Sequence, residues 1–230
     1  MALSGEGAIC IWNDITDEGR ADFYAWHLTE HMPERVGIPG FRRGRRYIAC
    51  DGDTSPEFFT LYETDSPEVL VGQDYMNRLN NPTPWTRRAT QGFRATSRAL
   101  TRVHASYGPG SGGILATIRF AAAPGADEAL RRTLATELLP RLAEQPQIVG
   151  AHLCVTNADA SAVKTAESRD RTDILAAPNW VMLIEGCNPE PVRAAAESCL
   201  RESRPGAIES AEVGLYRLEY MRLKTAHAPG

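Results

Sequence analysis

The chain contains one sequence pattern twice, and this repetition limits the folds that it can adopt. Three pairs of segments match in the same order along the chain, at offsets of 107, 122 and 115 residues: Leu28–Arg35 with Leu134–Leu142, Leu61–Leu70 with Leu183–Val192, and Leu100–Ser106 with Leu215–Met221. An offset that changes only between elements indicates that loops of different length were inserted into a duplicated domain. The sequence therefore predicts two similar units.

Each half of the chain has the order strand, helix, strand, strand, helix, strand. We place a first unit at residues 1–107 and a second, degenerate unit at residues 108–230, joined by the glycine-rich segment Ser106–Gly113. The predicted strands are Ala8–Trp12, Arg42–Cys50, Glu57–Glu63, Arg94–His104, Ile114–Phe120, Val149–Thr156, Trp180–Glu185 and Ala211–Met221. This βαββαβ order is ferredoxin-like and leaves one sheet face bare. We therefore predict an α+β fold in which two tandem units pack sheet to sheet as an intrachain α+β barrel.

Composition excludes several broad classes of protein. The 230 residues carry a net charge of −4, which gives no general basic field for nucleic acid. The sequence shows neither a signal peptide nor an apolar run long enough to span a membrane. Five scattered cysteines without a C-x-x-C pair are typical of a cytoplasmic protein with reduced thiols.

A polar insertion at residues 157–178 lies where the first half has a short turn. A segment of this length within a compact domain is either disordered or a lid over a site. The sequence leaves both alternatives open, with disorder favoured.

His27 and His31 are the main candidates for chemistry. They are four residues apart on the first predicted helix, which Thr16 caps and which we expect to end near His31 because Pro33 follows. The HxxEH spacing resembles a zinc signature, but no third ligand is evident, so we predict no metal. The repeat places Leu134 and Leu138 at the equivalent positions, which favours an acid–base role over packing. Glu30 recurs as Glu137 and is predicted to be structural.

Arginines fill the second predicted strand. Alternation places Arg43, Arg45 and Tyr47 on one face, and Arg42 and Arg46 on the other. If the first set faces the cleft, it can bind a carboxylate or phenolate. If the strand is a solvated edge, the charges prevent aggregation.

Aromatic side chains provide further candidates for a substrate pocket. Tyr62 stands where the second half has Ile184, and Trp85 lies in a proline-flanked segment without a counterpart there. Trp26 precedes the histidines. A flat pocket walled by Trp26 and Trp85 would suit an aromatic ring, although such residues also pack loops against a core.

The segments FYAWHLTEHMPERVGIPGFRRGRRYIA, FFTLYE and NPTPWT resemble the dimeric α+β barrel superfamily, in particular its EthD-like branch. The resemblance covers the first half closely and the second half faintly. It implies paired ferredoxin-like units, as a homodimer or as fused copies. The superfamily includes cofactor-free cyclases, isomerases, dehydratases and decarboxylases, as well as monooxygenases, haem proteins and proteins without known activity.

The resemblance and the residues together predict a lyase or isomerase that needs no cofactor and acts on a small aromatic or ring-derived acid or ketone. His31 would transfer the proton from the barrel cleft, with His27 and Tyr62 beside it. Arg43, Arg45 and Tyr47 would bind the substrate. A monooxygenase or haem-binding protein, and a ligand-binding protein without catalysis, are the alternatives.

Overall fold

A computed structural model describes residues 3–169, 173–203 and 206–225. The strands are β1 (Gly7–Ile15), β2 (Phe41–Ala49), β3 (Phe58–Thr64), β4 (Phe93–Tyr107), β5 (Ile114–Ala122), β6 (Ile148–Thr156), β7 (Trp180–Gly186) and β8 (Ile208–Leu223). The α-helices are α1 (Arg20–Trp26), α2 (Met32–Gly37), α3 (Gln73–Asn80), α4 (Pro84–Ala89), α5 (Asp127–Thr133), α6 (Leu139–Ala143), α7 (Ala158–Ala162) and α8 (Pro189–Glu202).

The eight strands form one closed antiparallel barrel in the order β1-β3-β2-β8-β5-β7-β6-β4. Strands β4, β1, β3 and β2 form the sheet of the first unit, and β8, β5, β7 and β6 form that of the second. The units join along two seams, where β2 pairs with β8 and β4 pairs with β6. Closure leaves no free sheet edge between the units. The predicted fold class, two ferredoxin-like units in an α+β barrel, is confirmed.

Strand positions repeat at the offsets found in the sequence. Strands β5 and β6 begin 107 residues after β1 and β2, β7 begins 122 residues after β3, and β8 begins 115 residues after β4. The larger offset of β7 reflects the insertion that precedes it. Because pairing register sets which side chains face each layer, residues at these offsets occupy equivalent places in the two units.

The barrel interior is filled with side chains. Trp12, Tyr47, Phe59 and Tyr216 are almost fully buried in this layer, together with smaller apolar residues from both units. The indole N–H of Trp12 donates to the Thr117 hydroxyl of the other unit at 3.2 Å. Each such large apolar side chain contributes roughly 1.5–3 kcal/mol by its burial. The interior is therefore a packed core that joins the two sheets.

The first helical region is longer than the sequence predicts. It does not end near His31, because a π-helical turn (His27–His31) connects α1 to α2. The Met32 N–H bonds the His27 carbonyl at the end of that turn, and Pro33 follows at the start of α2. Proline cannot donate a backbone hydrogen bond, and the wider π-helical turn before it lets the helical region continue through Pro33. The second unit has a matching π-helical turn (Leu134–Leu138) between α5 and α6.

The second helical regions differ between the units. In the second unit this region is the single helix α8, whereas the first unit has a 3-10 turn (Pro67–Val71) followed by the short helices α3 and α4. These shorter helices cover the first sheet less completely. None of the helices in the described ranges is long and apolar enough to cross a membrane.

Candidate functional site

A cavity of about 570 Å³ lies between the sheet of the first unit and its helices. Its walls come from β1, β3 and β4, from the first helical region and α3, from the insertion that precedes β7, and from the end of β6 and the start of β7. Volumes of roughly 300–1,000 Å³ are usual for small-molecule sites. The cavity lies on the helix side of the sheet, not in the barrel. The expectation that His31 faces a cleft inside the barrel is therefore wrong, because packed side chains fill that interior.

The floor of the cavity is formed by side chains from three neighbouring strands. Ile11 of β1 lies opposite Thr60 of β3 on one side and opposite Arg98 of β4 on the other. Asn13 and Tyr62 lie one alternation further along β1 and β3, on the same face. Polar groups therefore stand on a sheet face that is otherwise apolar.

The π-helical turn places both histidines against this floor. The His27 and His31 rings are buried, with their centroids 5.5 Å apart. The His31 ring stacks on the Trp26 indole with a centroid distance of 4.1 Å, and it lies 6.5 Å from the Tyr62 ring. His27, His31, Trp26 and Tyr62, four of the residues selected from the sequence, thus line one cavity.

His27 is held in its neutral form. Burial lowers its pKa well below the usual 6.5, and the positive charges of Arg46 and Arg35 lower it further. Its Nδ1 lies 3.4 Å from Nη1 of Arg46. Because a guanidinium can only donate, Nδ1 is the acceptor and the ring proton is on Nε2. His27 is therefore a neutral imidazole at physiological pH.

Tyr62 presents a neutral phenol to the cavity. Burial raises the pKa of its hydroxyl well above 10, and the nearby Arg35 opposes this shift only in part. In the described part of the chain, no group hydrogen-bonds to this buried hydroxyl. A buried phenol without a partner is costly, and a ligand oxygen would satisfy it once the lining side chains shift to expose the hydroxyl.

Trp26 is fixed from behind by a chain of hydrogen bonds. Its indole N–H donates to the Thr86 hydroxyl at 3.1 Å, and Thr86 donates in turn to the Glu30 carboxylate at 3.2 Å. Thr83 donates to the same carboxylate at 2.6 Å. Glu30 thus joins α4 to the first helical region, consistent with a structural role, and it supports His31 through Thr86 and Trp26.

The insertion covers the cavity. The structure describes it except for residues 170–172, which lie outside the described ranges. It begins with α7, and the Glu167 carboxylate forms an ion pair with the buried guanidinium of Arg35. The Glu167 N–H also bonds the Leu79 carbonyl of α3 at 3.0 Å. The described residues are therefore folded against the first unit as a cover, and the expectation of disorder is wrong for them.

Arg98 is a cavity residue that the sequence reasoning did not single out. It lies half-buried on β4, in the row that it shares with Ile11 and Thr60. Its equivalent in the second unit is Val213. Ile11 pairs with Arg98 in the first unit, and the equivalent residue Ile118 pairs with Val213 in the second. The comparison of halves that singled out the histidines could have identified it.

The structure does not bring Arg43, Arg45 or Tyr47 to the cavity. The Arg45 guanidinium is fully buried in the barrel and binds the Glu63 carboxylate at 3.0 Å and that of Glu185 at 2.7 Å. Arg43 binds Glu63 at 2.7 Å, and Tyr47 packs in the same interior. The prediction that Arg43, Arg45 and Tyr47 share one face of the strand was correct, but this face packs against the other unit and does not line the cavity.

The carboxylates beside Arg45 stay charged despite their burial. Burial alone would raise the pKa of Glu185, but Arg45 and the nearby His152 ring, 3.5 Å from the carboxylate, lower it to about 2. Glu63 shows the same balance, because Arg45 and Arg43 hold its pKa below the usual 4.5. A buried pair of this kind is costly to break, so Arg45, which binds a carboxylate from each unit, holds the two units together.

Trp85 also lies away from the cavity lining. Its indole N–H donates to the Asp22 carboxylate at 2.8 Å, and Arg88 binds the same carboxylate at 3.2 Å. It packs with Phe23 and Trp26 behind the cavity wall. The alternative weighed from the sequence, a tryptophan that packs a loop against the core, describes it better than a wall of the pocket.

The equivalent space in the second unit is filled with apolar side chains. The two histidines are replaced there by Leu134 and Leu138. Tyr62, Thr60 and Asn13 are replaced by Ile184, Met182 and Phe120, respectively. All five replacing side chains are buried in one cluster. The two units thus share a backbone and differ in what fills this layer. The polar residues of the first unit are therefore not needed for the fold.

A metal centre has little support in this geometry. Within the described ranges, no group of three or more His, Cys, Asp or Glu residues is placed to hold an ion. His27 also directs Nδ1 at a guanidinium, which a cation would have to displace. The arrangement is better suited to binding an organic molecule and to moving protons.

No family model matches the chain, and no curated protein does either. Solved structures do match it. An anthrone oxidase-like protein is 10% identical with a TM-score of 0.63, and the match covers 97% of this chain and 95% of that one. A proposed monooxygenase from Lactobacillus acidophilus is 10% identical with a TM-score of 0.59, covering 95% and 96%. A proposed chlorite dismutase is 11% identical with a TM-score of 0.57, covering 94% and 96%.

At these identities the likeness extends to the fold alone, which is the dimeric α+β barrel. It agrees with the fold that the sequence predicts. The EthD-like branch stays a prediction.

Proposed function

We propose that the chain is an enzyme that moves a proton on a small aromatic or ring-derived substrate, in the cavity of the first unit. One observation carries this proposal: His31 and Tyr62 converge on that cavity, whereas the equivalent residues, Leu138 and Ile184, are packed in a core. Polar groups buried in a cavity reduce stability, so their presence indicates that they serve another purpose. Proton transfer is the chemistry for which imidazole is best suited near neutral pH.

In this proposal His31 takes a proton from a carbon next to a carbonyl or phenol. The stack on Trp26 holds the imidazole in place. The Tyr62 phenol, which stays protonated, donates a hydrogen bond to the oxygen on which negative charge develops. Neutral His27, with its proton on Nε2, is a second donor in the cavity. The resulting enolate can then be reprotonated, lose a leaving group or undergo C–C cleavage, which are isomerase and lyase outcomes.

Oxidation is the second candidate function. Fold neighbours are named as an anthrone oxidase-like protein and a monooxygenase, and an enolate held in an aromatic cavity can react with oxygen. The first step is the same proton abstraction. Oxygen uptake that depends on substrate would favour this candidate, and a Soret band in the purified protein would favour haem chemistry instead.

Deuterium exchange tests the proposed proton transfer even while the natural product is unidentified. Phenylpyruvate and 2-tetralone, each with acidic C–H groups beside a carbonyl, are incubated with the protein in D₂O and followed by ¹H NMR. The wild type is expected to accelerate exchange on at least one probe. His31→Gln is expected to lower that rate by about 10²- to 10⁴-fold, the usual contribution of general acid–base catalysis.

His104→Gln is the matched control, because His104 lies on β4 but not in the lining of this cavity. It is expected to exchange as the wild type does. If no probe exchanges although ligands bind, the chain is a ligand-binding protein. If His31→Gln exchanges at the wild-type rate, His31 is not the catalytic base.

A further inference from the structure

The guanidinium of Arg98 is a charge in the cavity that the fold does not neutralise. It has neither an ion pair nor a hydrogen bond with any group in the described ranges. Other described arginines on the same strand do have partners: Arg102 binds the Glu68 carboxylate at 3.0 Å, and Arg94 donates to two backbone carbonyls. A half-buried guanidinium that finds no acceptor among the described residues is available to a ligand.

The charge balance of the described cavity lining points the same way. Three cations, Arg35, Arg98 and Lys164, line the cavity, against a single carboxylate, Glu167. Arg35 already binds Glu167, so that pair is internally neutral. The remaining charges are positive, and this excess stands out in a chain whose net charge is −4. Such a site attracts an anion and disfavours a cation.

The apolar part of the cavity sets the shape of the ligand. The rings of Phe23, Trp26, Tyr75 and Phe93 line it, on the helix side and at the start of β4. Aromatic walls of this kind favour a flat ring. Arg98 lies two strands away from Thr60, which is a separation of about 10 Å between their backbones. A ring can bridge this span, with its anionic group at Arg98 and its reacting end near Tyr62 and His31.

We propose that Arg98 binds the carboxylate of an aromatic acid, and that the natural ligand of the cavity is an aromatic carboxylate, not a neutral ketone. The guanidinium presents paired N–H donors that match the two oxygens of a carboxylate. Arg98 therefore takes the substrate-binding role that the sequence assigned to Arg43 and Arg45. The proposal rests on the proposed function for the position of the site and adds the chemical class of its substrate.

Titration calorimetry with a matched pair of probes tests this assignment. 2-Hydroxybenzoate and 2-hydroxybenzamide have the same ring and nearly the same shape, but near pH 6 only the first is an anion, because the phenol of the second is still protonated there. The wild type is expected to bind 2-hydroxybenzoate at least about tenfold more tightly, as one charge-assisted interaction would give. Arg98→Met is expected to remove this preference while leaving the affinity for 2-hydroxybenzamide unchanged.

Arg102→Met is the matched control, since Arg102 lies on the same strand outside this cavity. It is expected to keep the preference for the anion. His31→Gln is also expected to bind 2-hydroxybenzoate, so loss of proton transfer can be separated from loss of anion binding. Equal affinity of the wild type for the two probes, failure of both to bind, or an unchanged preference in Arg98→Met would each overturn the assignment.

Discussion

The His31 imidazole stacks on the Trp26 indole with 4.1 Å between ring centroids, and Trp26 is itself fixed by its hydrogen bond to Thr86. Thr86 is buried and donates to the carboxylate of Glu30, which lies on the same helical region as Trp26 and His31. His31 therefore has an orientation that depends on residues outside the cavity. Preorganisation of this kind is what acid–base catalysis needs, since a misplaced base loses much of its effect.

Thr86→Val should lower activity through Trp26. The substitution keeps the shape of the side chain but removes the acceptor of the indole N–H, and an unsatisfied buried donor costs about 1–3 kcal/mol. We expect a lower free energy of unfolding and slower deuterium exchange. Thr90→Val is the control, because Thr90 is also buried and its hydroxyl donates to the Thr86 carbonyl, not to Trp26. If the two variants lose stability alike and both keep wild-type exchange, Trp26 does not position His31.

His27 should make the protein sensitive to mild acid. Its pKa in the folded state lies well below 6.5, so the unfolded chain binds its proton first as the pH falls. The stability that depends on neutral His27 is complete above pH 6.5 and is lost as the pH falls below that value, with a slope of up to about 1.4 kcal/mol per pH unit. Urea unfolding between pH 5 and 8 measures this slope.

His27→Leu tests the assignment of that slope, since leucine occupies the equivalent position in the second unit as Leu134. We expect a flatter dependence of the free energy of unfolding between pH 5 and 6.5. His104→Leu provides the comparison, because His104 is exposed. A slope that is the same in the wild type and in His27→Leu would show that another group is responsible.

Arg45→Met should reduce stability without reducing ligand binding. It removes the cation between Glu63 and Glu185, and loss of one partner from a buried ion pair costs about 3–5 kcal/mol. Because Arg45 lies in the barrel and not in the cavity, the affinity for 2-hydroxybenzoate should not change where the variant stays folded. Denaturant unfolding and calorimetry measure the two effects. A variant of native stability with weakened binding would show that Arg45 contributes to ligand binding and not to stability.

The sequence predicted the architecture well because the repeat constrains it at every element. A chain that repeats its β-favouring runs in the same order has few ways to pair eight strands. The predicted end of the first helical region was wrong because a proline such as Pro33 normally stops a helix. The π-helical turn that accommodates Pro33 has no distinct pattern in a single sequence. The matching π-helical turn in the second unit shows that this turn belongs to the shared backbone.

The candidate site was predicted in part. His27, His31 and Tyr62 were found because they differ from their counterparts in the other half. Arg43 and Arg45 were misplaced because alternation along a strand tells which residues share a face but not what that face meets. Arg98 was missed although it differs from its counterpart Val213, because the lack of a carboxylate partner among the described residues is visible only in three dimensions.

The central difference between the two units is that the first holds a cavity, with the proposed activity, where the second holds a packed core. The triple variant His27→Leu, His31→Leu and Tyr62→Ile gives the first unit the residues that the second has at Leu134, Leu138 and Ile184. Deuterium exchange, measured together with the free energy of unfolding, is the most direct test. We expect exchange to disappear while the protein unfolds at the same or a higher denaturant concentration. Retained exchange in this folded variant would contradict the claim.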